Sequence, residues 1–122
     1  MKLSVFAAAA ALVAFSTAAY ADGDPVAGKS VFNKCAICHS ASPGKTVIGP
    51  TLFGIVGRPS ASVAGFSYSD AMKAANKTWD AATLDTYLTD PKAMVPGTKM
   101  TFAGLPNPQD RANVIAYLAT LK

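Results

Sequence analysis

Apolar positions in this chain fall into one dense N-terminal block and several sparser stretches that recur at helical spacing. Seventeen of the first 21 residues are apolar, and Lys2 precedes an unbroken apolar run from Val5 to Phe15. Ala19-Tyr20-Ala21 then supplies small residues where signal peptidase cuts. The run is too short for a comfortable membrane span, so residues 1–21 read as a secretory signal peptide and 22–122 as one mature domain. In that domain Asp24 can cap a first helix and Pro25 suits its first position. Val31, Phe32 and Cys35 would form its apolar stripe, with Gly28 on the same face permitting a close approach by another element. Ser69–Asn76 reads as a short helix, and Asp80 opens another that turns Leu84, Tyr87 and Leu88 inward and stops at Pro91. Asn107, Pro108 and Asp110 start a last helix carrying Val114, Ile115, Leu118 and Leu121 at helical spacing. No strand alternation is present, and the pattern predicts an all-α fold.

The interval from Ser40 to Phe66 fits that pattern badly. It lacks helical periodicity and carries Pro43, Gly44, Gly49, Pro50, Gly54, Gly57, Pro59 and Gly65. A loop of such length argues against a compact domain unless it wraps something. Composition sharpens the point. At 122 residues the chain supports one small domain, and without the leader 101 residues remain. Domains of that size are short of core and commonly need a disulfide, a metal or a large cofactor. Lys2 leaves with the leader, so 10 basic stand against 7 acidic side chains, a net of +3, with no Glu anywhere. That balance suits transient contact with acidic proteins and is too weak to suggest nucleic-acid binding.

Cys35-Ala36-Ile37-Cys38-His39 is a C-x-x-C-H sequence, the attachment signature of c-type haem. On a helical turn, residues three and four apart share a face, so two thiols and an imidazole can address one porphyrin. A thioredoxin-type disulfide at the same pair would need a βαβ context, and a zinc site would need a fourth ligand. Neither is visible here. His39 is the single histidine, so it excludes a bis-histidine iron and leaves Met, Lys, the chain terminus or nothing for the second axial position. Met72 lies in a predicted helix and Met94 beside Val95-Pro96, where core packing is the simpler use of each. Met100 follows the irregular Pro96-Gly97-Thr98-Lys99, which can aim a thioether from outside a helix.

Further stretches carry a wider likeness. Gly49-Pro50-Thr51-Leu52-Phe53-Gly54, Gly57-Arg58, Gly65-Phe66-Ser67-Tyr68, Thr78-Trp79 and the run from Pro96 to Gly104 resemble the mitochondrial-type branch of class I cytochrome c. The match follows the family's order along essentially the whole mature chain. The resemblance implies a helical fold wrapping one covalent haem c, with the first and last helices crossing near Gly28. It implies His39 and Met100 as axial ligands of the iron, and Pro50 as the carbonyl that accepts the free ring N–H of His39. Tyr68 and Trp79 look like donors to a buried haem propionate, with Arg58 the cation nearby. Tyr87 looks like the distal residue near the Met100 sulfur, and Thr98 belongs to the same cofactor-contacting stretch. Lys34, Lys92 and Lys99 match lysines around the exposed haem edge.

Two departures stand out. Met72 occupies a position where the family commonly has Asn in a distal hydrogen-bond network, and Ala93 and Ser30 stand where its members are often basic. Partner binding is therefore expected to be less salt-dependent. The functional expectation is a soluble periplasmic monohaem electron carrier, not an enzyme. Its partners would be a membrane quinol–cytochrome c oxidoreductase and a terminal oxidase, photosynthetic reaction centre or periplasmic reductase. A haem enzyme would need iron left open by Met100, and a peroxidase would benefit from a distal acid–base group that a chain with one His and no Glu lacks.

Overall fold

Five helices, α1 (Pro25–Phe32), α2 (Asp70–Ala75), α3 (Ala81–Thr89), α4 (Pro91–Met94) and α5 (Pro108–Ala119), follow one another in a computed structural model that describes residues 4, 7–12 and 23–122. The processing site expected after Ala21 lies outside the described residues. Each helix starts on a side chain that accepts from its own first turn, which is why the polar residues Asp24, Ser69, Asp80 and Asn107 stand where they do. Asp24 accepts from the Val26 N–H at 2.8 Å, and Asp80 accepts from the Thr83 N–H at 2.8 Å. Asn107 accepts from Gln109 at 2.8 Å and Asp110 at 3.4 Å.

Two expectations need correcting. Pro91 does not simply stop α3; it is the first residue of α4. Asp90, extended at φ −157°, ends one helix and caps the next, accepting from the Ala93 N–H at 3.3 Å. A proline lacks the N–H that a first helical position leaves unpaired anyway, so a helix stop serves equally as a start. The first helix is also shorter than its stripe, ending at Phe32, and Leu121 lies beyond the end of α5.

α1 and α5 cross with almost no side chain between them. A Cβ on Gly28 would run into the Asn113 carbonyl, and one on Gly23 into the Ala112 carbonyl. Around the crossing Phe32, Val114 and Leu118 are buried, and the Phe32 and Tyr117 rings tilt together at 5.2 Å. The rest of the core gathers Ile55, Trp79, Leu84, Tyr87, Leu88, Val95 and Leu105, with Trp79 and Tyr87 in contact at 4.9 Å. Burying one such side chain stabilises the fold by about 1.5–3 kcal/mol.

The long segment between Ser40 and Phe66 is secured by hydrogen bonds rather than by helix. Gly54 N–H donates to the Leu121 carbonyl at 2.6 Å, tying the segment to the C-terminus. Gly57 donates to Trp79 at 2.8 Å, Trp79 to Arg58 at 2.9 Å and Ser60 to Lys77 at 2.8 Å. The isolated antiparallel bridge Pro59–Thr78 belongs to this pairing, and the described residues contain no extended strand. Among them, no helix is long and apolar enough to cross a membrane.

Candidate haem site

The two cysteines and the histidine sit on one helical turn that continues α1. Cys35 and Ala36 donate to the Phe32 carbonyl at 2.7 and 2.9 Å, and His39 N–H donates to the Cys35 carbonyl at 2.9 Å. Both cysteines are free and half-buried, so the turn presents thiols rather than a disulfide. Burial, then the neighbouring Cys38, pushes the Cys35 thiol up against the opposing pull of Lys34, which keeps it neutral.

His39 is fixed from behind. Its Nδ1 lies 2.7 Å from the Pro50 carbonyl. A carbonyl can only accept, so Nδ1 carries the proton and Nε2 is left with its lone pair. Gly49 covers the ring: a Cβ there would come within 2.5 Å of Cε1 and 2.7 Å of Nδ1, so only hydrogen fits. Burial holds the imidazole below its ordinary range, opposed by the Pro50 bond and aided by Arg58. The neutral form, the one able to bind a metal, is favoured.

The segment that delivers Pro50 has its own framework, which the sequence does not announce. Buried Thr51 donates through its hydroxyl to the Ser42 carbonyl at 2.6 Å and accepts from the Phe53 N–H at 3.1 Å. Arg58 donates to the Thr51 carbonyl at 3.0 Å and the Phe53 carbonyl at 3.1 Å. Carbonyl partners leave no mark in a sequence, so Arg58 could be recognised there only as a cation. Burial lowers its guanidinium, opposed in part by the charge interaction with Tyr68. Tyr68 Oη accepts from the Val63 N–H at 3.0 Å, leaving its own proton to donate, and its ring meets Phe66 edge-on at 4.8 Å. Trp79 is buried against Tyr87.

Met100 belongs to the irregular stretch between α4 and α5. Tyr87 Oη lies 3.8 Å from its sulfur, and the Thr98 hydroxyl accepts from its N–H at 3.2 Å. Burial pushes the Tyr87 phenol up, and nearby Thr98 opposes that push in part. Met72 and Met94 are half-buried and pack against the core, as expected. Lys34, Lys92 and Lys99 are exposed on three segments: the turn before Cys35, α4, and the residue before Met100.

No three His, Cys, Asp or Glu side chains gather among the described residues as a cage for a bare metal ion. What the site offers is one imidazole nitrogen, one thioether, two free thiols and half-buried apolar side chains such as Leu52, Met72 and Phe102. That donor set suits iron already held in a porphyrin, and the hydrogen-only face at Gly49 gives the imidazole its room. Fold and site together define a helical domain of the kind that encloses a covalently attached haem.

The family model for cytochrome c matches residues 25–122. Cytochrome c2 of Rhodomicrobium vannielii is 55% identical over 121 residues, covering 98% of this chain and 97% of that protein. Cytochrome c2 of Rhodoblastus acidophilus is 54% identical over 101 residues, 82% of this chain and 94% of that one. The solved structure of cytochrome cH from Methylobacterium extorquens superimposes with a TM-score of 0.77 at 44% identity, covering 80% of this chain and 99% of its own. The chain belongs to the cytochrome c family: it carries one covalently attached haem c and is an electron carrier rather than an enzyme.

Proposed function

We propose that Cys35 and Cys38 hold the haem through thioethers, that His39 Nε2 and Met100 Sδ are its axial ligands, and that the protein shuttles single electrons in the periplasm. The observation that carries this reading is His39, whose Nδ1 is committed to Pro50 at 2.7 Å and whose Nε2 is free, on the same turn as both thiols. When bound, the haem supplies a one-electron ferrous–ferric couple. The protein's residues do the rest. Pro50 fixes the tautomer and raises the basicity of His39. Tyr87 and Thr98 orient the Met100 thioether, so the same ligand pair can serve both oxidation states. Tyr68 and Trp79 donate to a propionate, with Arg58 as the adjacent cation. The half-buried apolar side chains keep water away and favour the state of lower charge.

Residues 1–21 direct export and are removed after Ala21. A quinol–cytochrome c oxidoreductase would then be the donor, and a terminal oxidase, reaction centre or periplasmic reductase the acceptor. Lys34, Lys92 and Lys99 would meet acidic partner surfaces. The relatives named cytochrome c2 support this setting.

Acid–acetone extraction should leave the red colour on the protein, because thioethers survive it; haem passing into the organic layer overturns covalent attachment at Cys35 and Cys38. Ferric protein near neutral pH should be low-spin, with a weak far-red sulfur-to-iron band that Met100→Ala abolishes. A high-spin ferric protein that binds peroxide readily would overturn the ligand assignment.

A further inference from the structure

The stretch that presents Met100 is anchored at both ends by buried residues and has no helix between them. Upstream, Val95 is buried at 2% exposure and donates to the Pro91 carbonyl at 2.9 Å. Downstream, Leu105 is buried at 2% exposure and donates to the Leu88 carbonyl at 2.7 Å. Gly97 at φ +90° and Gly104 at φ +106° turn the chain just inside these anchors, and a Cβ on Gly104 would strike the Thr89 carbonyl. Only glycine passes there without strain.

The downstream anchor carries a second device. Arg111 of α5 donates through Nε to Asp85 Oδ1 of α3 at 2.8 Å. Its NH1 donates to the carbonyls of Leu105 at 2.8 Å and Pro106 at 3.1 Å. The Arg111 side chain is 12% exposed and that of Asp85 34%, so the guanidinium is largely shielded while the carboxylate keeps some contact with solvent. A guanidinium serving only to join two helices would have no need of two loop carbonyls. Here one face of the planar fork takes the carboxylate and the other holds the loop's exit, so Asp85 sets the angle at which Arg111 grips the chain.

We propose that Asp85 and Arg111 are positioning residues that clamp the exit of the Met100 segment to α3 and α5, and so govern how readily the thioether leaves the iron. The proposal rests on Met100 being the distal ligand. Between the anchors, the polar contacts of Met100 are with Thr98 and Tyr87, and its side chain packs against the core, so mobility at Leu105, five residues on, reaches the sulfur unless those contacts absorb it.

The test is the rate at which cyanide binds the ferric holoprotein, since cyanide can enter only after the sulfur has gone. Asp85→Asn keeps the shape and removes the charge; it should speed cyanide binding about tenfold, the size of effect expected when a hydrogen bond loses its charge assistance. Asp85→Glu, which restores the carboxylate, should return most of the slow rate. Val114→Ala weakens the α1–α5 core without touching the clamp, and should leave the rate within about twofold of wild type. An Asp85→Asn protein no faster than wild type, or a Val114→Ala protein equally fast, overturns the clamp. Amide exchange in the wild-type holoprotein provides a test that needs no variant. The Leu105 amide should exchange as slowly as those of α3, and exchange as fast as at Lys99 or Thr101 overturns the proposal. A far-red band that survives Met100→Ala refutes the ligand assignment instead, leaving the two failures distinct.

Discussion

A single hydrogen atom on Gly49 decides whether His39 can stand square to Pro50. Replacing Gly49 with Ala drives a methyl into the imidazole face, and the ring cannot retreat without giving up its 2.7 Å bond. The expected cost is about 1–3 kcal/mol of stability, the usual range for overpacking, read by equilibrium unfolding of the holoprotein. The reduction potential should shift with it, because the basicity of the imidazole depends on the same bond. Thr51 permits a cleaner comparison. Thr51→Val leaves the Phe53 N–H without its partner and the Ser42 carbonyl with only the long 3.4 Å bond from the Lys45 N–H, which should cost about 1–3 kcal/mol, whereas Thr51→Ser should stay close to wild type. The two residues also mark the limit of sequence reading at this scale. His39, Cys35 and Cys38 declare themselves by spacing, and Pro50 and Met100 through a run of neighbours that resembles a family. Thr51 and the grip of Arg58 escape notice because their partners are backbone carbonyls, present at every residue.

At the scale of elements, the capping residues were the most legible feature and the corner at Asp90 the least. Asp24, Asp80 and Asn107 each stand one residue before a helix, because a carboxylate or amide there satisfies N–H groups the helix cannot. Asp90 is hidden because a proline after it reads as a helix end, while the structure uses the same proline to begin again. The Asp80 cap has a pH signature. Its bonds to Thr83 hold the carboxylate below the ordinary range, so the unfolded chain takes up a proton first as pH falls. Its stabilising effect is complete above about pH 4, the usual aspartate value, and is lost as the pH drops through the lower folded value. Thermal unfolding of Asp80→Ala should therefore converge with wild type on acidification and diverge from it toward neutrality. A gap that persists unchanged at pH 2 would assign the effect to packing. The α1–α5 crossing gives a harsher prediction: Gly28→Ala sets a methyl against the Asn113 backbone, and the helices must separate. A loss of about 3 kcal/mol, at the top of the overpacking range, is expected in denaturant titration.

For the whole molecule, charge sets the expectation. A net of +3 on residues 22–122 is a weak field, and Lys34, Lys92 and Lys99 are exposed members of it. Electron transfer to an acidic partner should slow as ionic strength rises, with a shallow dependence fitting so few charges. A rate indifferent to salt would leave these lysines as ordinary surface charge. The overall architecture was legible because it follows from scarcity: a chain too small for its loops needs an object to fold around, and C-x-x-C-H names that object. The path of residues 40–66 was not legible, since pairs such as Gly57 with Trp79 and Gly54 with Leu121 join distant backbone groups that no local pattern relates.

The meeting of α1 with α5 also has a temporal meaning. The Asp24 N–H donates to the Asn113 side chain across 89 positions, so the first helix finds its partner only in the last stretch of chain. Contacts of such separation are slow to form, because a long intervening loop must be closed before they return anything. A chain emerging N-terminus first therefore has no early closed form: the Cys35–His39 turn emerges while the helix that will seal α1 is still to come. In a chain made in that order, the crossing cannot form until Asn113 has been added, long after the Cys35–His39 turn.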